Sequence, residues 1–358
     1  MKSPKQLSES IERFKAGFWA RRRTDRPPVG IVNEGVFLPL GYLREPLRHQ
    51  LLLPSHLEAG MFSSDYEFAT SRQKVFCDDW IPFNAAWRAI PWLEAICGCP
   101  VRCASGSLAA HRIADSVVAL QQAPMRADAS WRACLREQTM TLIRDCPPDG
   151  WISPTIIRGP SDVLAAMREL TEFFLDVVDT PQLVGELAVR INEVLLELLR
   201  AHFEWVSPKM GGYGHIYGYW APEKTIVIQE DAMGLCSPRI YRDLFLELNA
   251  RIVKELGNCV LFHLHSTGYR HYRDVLSIEG LAGLELTVEA NGPSLRDLAP
   301  TLAEILEKTR LILYVDSGFE DLPWLLKKLP QEGLYLLIPD RFIGSDRQFH
   351  EFTKGIWG

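Results

Sequence analysis

The sequence predicts an α/β chain, a (β/α)8 TIM barrel with an N-terminal helical extension, and three observations carry that prediction. Apolar runs of strand length alternate with helical patterns through the second half, at the spacing of βαβ units. The runs are almost continuously apolar, as parallel strands covered on both faces are, and eight of them start near residues 29, 75, 151, 225, 259, 284, 311 and 334. Most of them break at their carboxyl ends into acids, histidines or an arginine, and no Gly-x-Gly-x-x-Gly follows a strand, which argues against an open dinucleotide-binding sheet.

Size and composition agree. Barrels of this class run to 358 residues as one domain, so residues 1–358 read as a single domain with a helical segment to about residue 26. An apolar content of 47% with 23% charged residues is that of a globular protein. The net charge of −6 gives no overall attraction to nucleic acid or an anionic membrane. No apolar stretch approaches the roughly 18 residues of a membrane span, so the expectation is a cytoplasmic enzyme with reduced thiols. Eight cysteines are too sparse for a disulfide scaffold, and Cys97, Cys99 and Cys103 lack the paired spacing of a structural zinc site, which leaves a packed turn leading into a strand.

In chain order, residues 1–24 form an amphipathic helical pattern stopped by Arg26-Pro27-Pro28, and Val29–Val32 is a strand ending in Asn33-Glu34-Gly35. Val75–Cys77 runs into Asp78-Asp79-Trp80, a carboxylate pair beside an indole. Helices follow over 90–98 and 124–146, then a strand Trp151–Ile157 ending at Arg158-Gly159-Pro160. Ser161 is placed as the cap of a helix reaching Phe174, and Thr180-Pro181 opens a helix whose Leu187, Ile191, Leu195, Leu199 and Phe203 make one buried stripe. Residues 210–220 are rich in glycine and aromatics, and Tyr217 and Tyr219 there suit either a loop stacking on a planar ligand or plain packing. Thr225–Gln229 ends in Glu230-Asp231, and Ser237-Pro238 opens the next helix. The remaining strands are 259–265, 281–289, 311–315 and 334–338, separated by helices through Tyr272, over 293–308 and over 322–329.

The strand Cys259–His265 is the centre of the pattern. Side chains alternate along a strand, so His263 and His265 share one face, and Glu285, Thr287 and Glu289 share one face of the next strand. In a barrel the chemistry sits at the carboxyl ends of the strands, which would gather Asn33, Glu34, Asp78, Asp79, Arg158, Glu230, Asp231, His263, His265, Glu289, Asp316 and Asp340 at one mouth.

From Trp151 onward the order of motifs resembles the uroporphyrinogen decarboxylase-like superfamily: Arg158-Gly159-Pro160, Asp179-Thr180-Pro181, Glu230-Asp231 before Leu235-Cys236-Ser237-Pro238, Phe262-His263-Leu264-His265-Ser266-Thr267-Gly268, and Glu285-Leu286-Thr287. The resemblance implies the same barrel, a homodimer as a plausible assembly, and one of two activities. For the corrinoid-linked methyltransferases it implies a zinc held by a His-x-Cys pair and a later Cys. This chain has His263 but His265 in place of that Cys, and no Cys after Cys259, which leaves a nitrogen and oxygen site of His263, His265 and a carboxylate from Asp231, Glu289 or Asp316. The corresponding expectation is a methyltransferase with a small-molecule substrate, Zn2+, and cobalamin or a corrinoid protein as methyl carrier, with Asp231 and Glu289 as third ligand or general base. For the decarboxylases it implies an early acid, here Asp78 or Asp79, with Arg158 gripping substrate carboxylates; their arginine-rich N-terminal motif is missing. Asn33, Glu34, Trp80, Tyr217, Tyr219, Glu230 and Asp316 are the further substrate-contact candidates. A non-catalytic barrel binding a corrinoid or tetrapyrrole is the third reading.

Overall fold

Six of the apolar runs lie side by side in one parallel sheet in the computed structural model, which describes residues 2–33, 51–60, 71, 76–86, 90–104, 107–123, 128–146, 150–257 and 259–358. The strands in chain order are β1 (Val29–Val32), β2 (Phe83–Asn84), β3 (Val101–Ala104), β4 (Ser107–Ala110), β5 (Trp151–Ile152), β6 (Tyr213–Gly214), β7 (Trp220–Ala221), β8 (Thr225–Ile228), β9 (Cys259–His265), β10 (Gly283–Val288), β11 (Arg310–Val315) and β12 (Leu334–Pro339). The main sheet runs β1-β12-β11-β10-β9-β8, so the first strand pairs with the last, Val29 opposite Leu336. It curls into a half-barrel. Helices Pro238–Leu244, Leu246–Leu256, Tyr272–Leu276, Leu295–Lys308 and Leu322–Leu326 make its successive crossovers.

Alternation sorts the side chains into two cores. Ile226, Val260, Phe262, Leu284, Leu286, Leu311, Leu313 and Leu336 face the helices and pack with Leu298, Leu302 and Ile305. Val227, Leu261, Ile312, Tyr335 and Leu337 face the hollow of the sheet. That hollow is filled from below by Phe14, Phe18 and Trp19, which a π-helical segment, Phe14–Trp19, appends to the helix Pro4–Arg13. It is filled from the side by residues 213–221, whose Tyr219 is fully buried with its hydroxyl 2.8 Å from Thr225 Oγ1. The glycine-rich stretch is therefore packing. At Gly218, φ is +67° and an added Cβ would overlap the indole of Trp80, so both conformation and space require glycine there.

Two expected strands come out differently. Val75 lies outside the described residues, and Phe76 and Cys77 are not in a strand. The reason lies one step on: the Asp79 carboxylate accepts the N–H of Val29 at 2.9 Å and the Asp78 carboxylate that of Ile31 at 2.6 Å. Two side chains thus take the edge amides of β1 that a neighbouring strand would take. Trp151–Ile157 is extended only over β5, because Pro154 has no N–H to give a ladder; β5 pairs in parallel with β2, absent from the expected set, and an isolated bridge joins Arg158 to Gln229 beside β8. Among the described residues the six strands do not close into a ring.

β3 and β4 pair antiparallel, Val101 opposite Ala110, and of the two only the first strand was expected. Ser161 is not a cap. Gly159 precedes the helix Pro160–Arg168, and Ser161 gives its N–H (2.8 Å) and hydroxyl (2.5 Å) to Glu230 instead. The helix also stops short of Phe174, at Glu169 with φ of +69°, before a second helix Leu170–Asp179. The long helix Pro181–Trp205 buries the stripe its sequence announces. No described helix is long and apolar enough to cross a membrane.

Asp78 and Asp79 are buried among cations from the N-terminal segment. Lys2 Nζ is 3.1 Å from Asp78 Oδ1, Arg13 Nη1 is 2.5 Å from Asp79 Oδ1, and Arg26 reaches Asp79 Oδ2. Burial opposes ionisation of Asp79, but Arg26 and Arg13 outweigh it and hold its carboxyl below the usual range. Removing this charge takes the buried anion from Arg26 and leaves Arg13 only the exposed Asp25. Asp79→Asn is therefore expected to lower the unfolding free energy by about 3–5 kcal/mol, read from a urea or guanidinium transition. A loss under about 1 kcal/mol would show that the cluster does not hold the segment.

Candidate metal centre

Cys259, Leu261, His263 and His265 point into the hollow of the sheet, and the register of β10 on β9 sets Glu285 beside His263 and Thr287 beside His265. The consequence is a matched set of contacts. His263 Nδ1 meets the Glu285 carboxylate, whose other oxygen accepts the Thr287 hydroxyl at 2.8 Å. His265 Nδ1 lies 2.9 Å from Glu289, just past the end of β10. Each imidazole thus has one nitrogen against a carboxylate and the other free to turn elsewhere.

Both Nε2 atoms face Asp231. Its Oδ1 lies 3.4 Å from His265 Nε2 and 3.7 Å from His263 Nε2. Asp231 follows β8 and is fixed from behind: the Asp162 carboxylate accepts the N–H groups of Asp231 (3.0 Å) and Ala232 (2.7 Å), and Gln229 Nε2 donates to Asp231 Oδ2 at 2.7 Å. Oδ1 is left buried with no hydrogen-bond partner. A ligand atom of each of the three residues lies within 4.8 Å of the other two, and among the described residues this is the one group of its kind.

This arrangement fits a divalent metal. Two imidazole nitrogens and a carboxylate oxygen are a donor set that zinc accepts, and a histidine whose second nitrogen is held by a carboxylate is the usual outer support of such a ligand. An orphaned buried oxygen facing two nitrogens lacks the partner that a cation would supply. Without metal, charge settles on the rings. Burial disfavours a charged His263, but Glu285 and Asp231 outweigh it and lift the imidazole to about 9, while the same histidines bring the Asp231 carboxyl down to about 2 against its burial. Asp162 is pushed well above the usual range by burial and by Asp231 and Glu230, and burial raises Glu230 to about 7.

The remaining candidates divide. Arg158 ion-pairs with the buried Glu94. Glu230 is bound by Ser161, and an added Cβ at Gly159 would overlap its carboxylate, so glycine is needed for that approach. Tyr217 lies nearly parallel to the His263 ring, its hydroxyl 3.4 Å from Nδ1, with its carbonyl accepting from Tyr335 at 2.9 Å. Asn33 bonds Asp340 where β1 and β12 end, Asp316 pairs with Arg341 at 2.7 Å, and Glu34 lies outside the described residues. Trp80 is buried against Phe83, and Asp78 and Asp79 sit at the amino end of β1, in contact with neither histidine. Cys97 and Cys99 are buried thiols, Cys97 pushed up to about 12 by burial. Glu285, Asp162 and Glu94 are site residues that the candidate set lacks. Glu285 was visible in the alternation of β10; Asp162 and Glu94 carry no sequence signal, since their roles arise from contacts across the fold.

No protein-family model matches the sequence, and no curated protein is significantly similar to it. Among solved structures, a methyltransferase from Methanosarcina mazei superposes with a TM-score of 0.60 over 93% of this chain and 92% of that one, at 14% identity. The two share a fold.

The ion pairs of the metal-free centre set a pH dependence. With its folded value raised to about 9 from 6.5, His263 contributes stability fully below pH 6.5 and loses it as pH rises through 9. An NMR titration of the metal-free protein should show one imidazole titrating near 9, and Glu285→Gln should lower it, because burial is then opposed by Asp231 and Asp162 without the nearest carboxylate.

Proposed function

We propose that this chain is a methyltransferase of the uroporphyrinogen decarboxylase-like superfamily. In this reading the half-barrel is completed toward eight strands by the segments around β2 and β5, and the centre at Asp231, His263 and His265 holds zinc or a related divalent metal. It moves a methyl group between a small methylated compound and a corrinoid. The observation that carries the reading is the convergence of two carboxylate-backed imidazoles on the orphaned oxygen of Asp231, inside a fold shared with a methyltransferase.

The metal would supply Lewis acidity toward a substrate oxygen or sulfur. The chain's own residues do the rest. Glu285 fixes the orientation and tautomer of His263 so that Nε2 is the coordinating atom, and Glu289 sets a carboxylate 2.9 Å from Nδ1 of His265. Asp162 and Gln229 aim Asp231. Packing of Tyr217 against His263 keeps water from that side of the ring. The decarboxylase alternative requires Asp78 or Asp79 as its acid, and both are engaged with the amides of β1 and with Lys2, Arg13 and Arg26.

Protein purified without a metal-binding tag should contain about one zinc or similar ion per chain. His263→Ala, His265→Ala and Asp231→Asn should each lose it, and Glu285→Gln should weaken it about 10–100-fold by equilibrium competition with a chelator. The loaded protein should methylate reduced cobalamin from a panel of methyl ethers, thioethers and amines. Absence of metal even after zinc is offered would sink the reading.

A further inference from the structure

A groove of about 390 Å³ opens beside Asp231, within the size range of small-ligand sites. Its walls are small and apolar: Ala109 and Ala110 of β4, and Ala165 and Ala166 of the helix Pro160–Arg168. Leucine at any of these four positions would occupy the space. Leu235 and Leu170, 62% and 46% exposed, also line it and mark its open edge. The polar lining is confined to Arg158, Asp162 and Asp231.

The state of those three residues decides what the groove accepts. Arg158 is already paired with the buried Glu94 and has Asp162 and Asp231 as further neighbours, so it offers no uncompensated positive charge to a carboxylate or phosphate. Asp162 is occupied by two backbone amides. Asp231 alone belongs both to the groove and to the candidate metal centre. A molecule lying along the alanines therefore brings one end to Asp231, the ligand the two sites share, and leaves its body against hydrocarbon.

We propose that the groove seats an uncharged apolar body about the size of an aromatic ring, carried on the same molecule whose oxygen or sulfur is presented to Asp231, His263 and His265. The substrate class is then an aryl or arylalkyl thiol or alcohol, free or methylated. This rests on the metal reading of the centre and narrows it: small anionic thiols and methylamines lack the body that the groove is shaped to hold.

The test uses the full chain loaded with Co2+, whose thiolate absorption reports binding at the metal, titrated with 2-phenylethanethiol and with ethanethiol, two thiols of similar basicity. The phenyl compound should bind about tenfold tighter or more. Ala109→Phe and Ala166→Phe should each abolish that preference while cobalt content and ethanethiol affinity stay as in the unaltered chain. Ala109 is exposed, so its variant keeps the test valid if the helix position tolerates no larger side chain. Equal affinity for the two thiols, or a preference that survives both substitutions, overturns the proposal. Calorimetry of the metal-free protein with 2-phenylethanethiol separates the two readings. Binding there that the alanine variants remove supports the groove even if no metal is taken up. Cobalt uptake without a phenyl preference overturns the groove and leaves the metal centre standing.

Discussion

The parallel register of β10 on β9 is the constraint on which the centre depends. Setting Glu285 opposite His263 puts a carboxylate beside that imidazole as a by-product of the backbone ladder, and the same register carries Glu289, the residue after the strand, to His265. A slip of one residue in that ladder would turn Glu285 and Glu289 to the helix-facing side and leave both rings unsupported. The apolar residues that alternate with them, Phe262, Leu264, Leu284 and Leu286, hold the register by filling the opposite core. Packing on one face thus fixes the chemistry on the other.

The molecule buries charge in two places for different ends. At the amino end of β1 the carboxylates of Asp78 and Asp79 meet lysine and arginine from the N-terminal segment and the amides of the strand, so opposite charges and donors are matched locally. At the histidines, acids outnumber the cations they face: Asp162, Glu230, Asp231, Glu285 and Glu289 surround His263, His265 and an Arg158 already paired with Glu94. The first set sets each carboxylate against cations of the chain itself. The second converges two imidazole nitrogens on one unpartnered carboxylate oxygen, with proton affinities shifted on both sides, which is the usual mark of a site prepared for something outside the chain.

Much of this was legible in the sequence and some was not. The alternation of Cys259–His265 and of Glu285–Glu289 puts five polar side chains on one face of each of two successive strands, and the six apolar strands from 29 to 339 stand where the runs indicate. The apolar run at Phe76-Cys77 carries a strand signal where two aspartates do a strand's hydrogen bonding, and that of Trp151–Ile157 is a ladder strand only at Trp151–Ile152, ahead of Pro154. Asp78 and Asp79 looked like a site because adjacent acids after an apolar run look the same whether they face substrate or buried arginine. That distinction depends on Arg13 and Arg26, more than 50 residues away in sequence.

Pairing of the first strand with the last also has a temporal side. Val29 finds its partner at Leu336, and Phe14, Phe18 and Trp19 are enclosed between Tyr219 and Trp220 on one side and Tyr335 and Leu337 on the other. During synthesis these aromatics emerge some 300 residues before the last strand, so their enclosure is completed only late in translation. The cations that follow one another along that segment, Lys2, Lys5, Arg13, Lys15 and the run Arg21-Arg22-Arg23, keep it hydrated and mutually repelling in the interval. Charge that holds an unfinished chain apart is in this way reused, and in the finished protein Lys2 and Arg13 become clasps on Asp78 and Asp79.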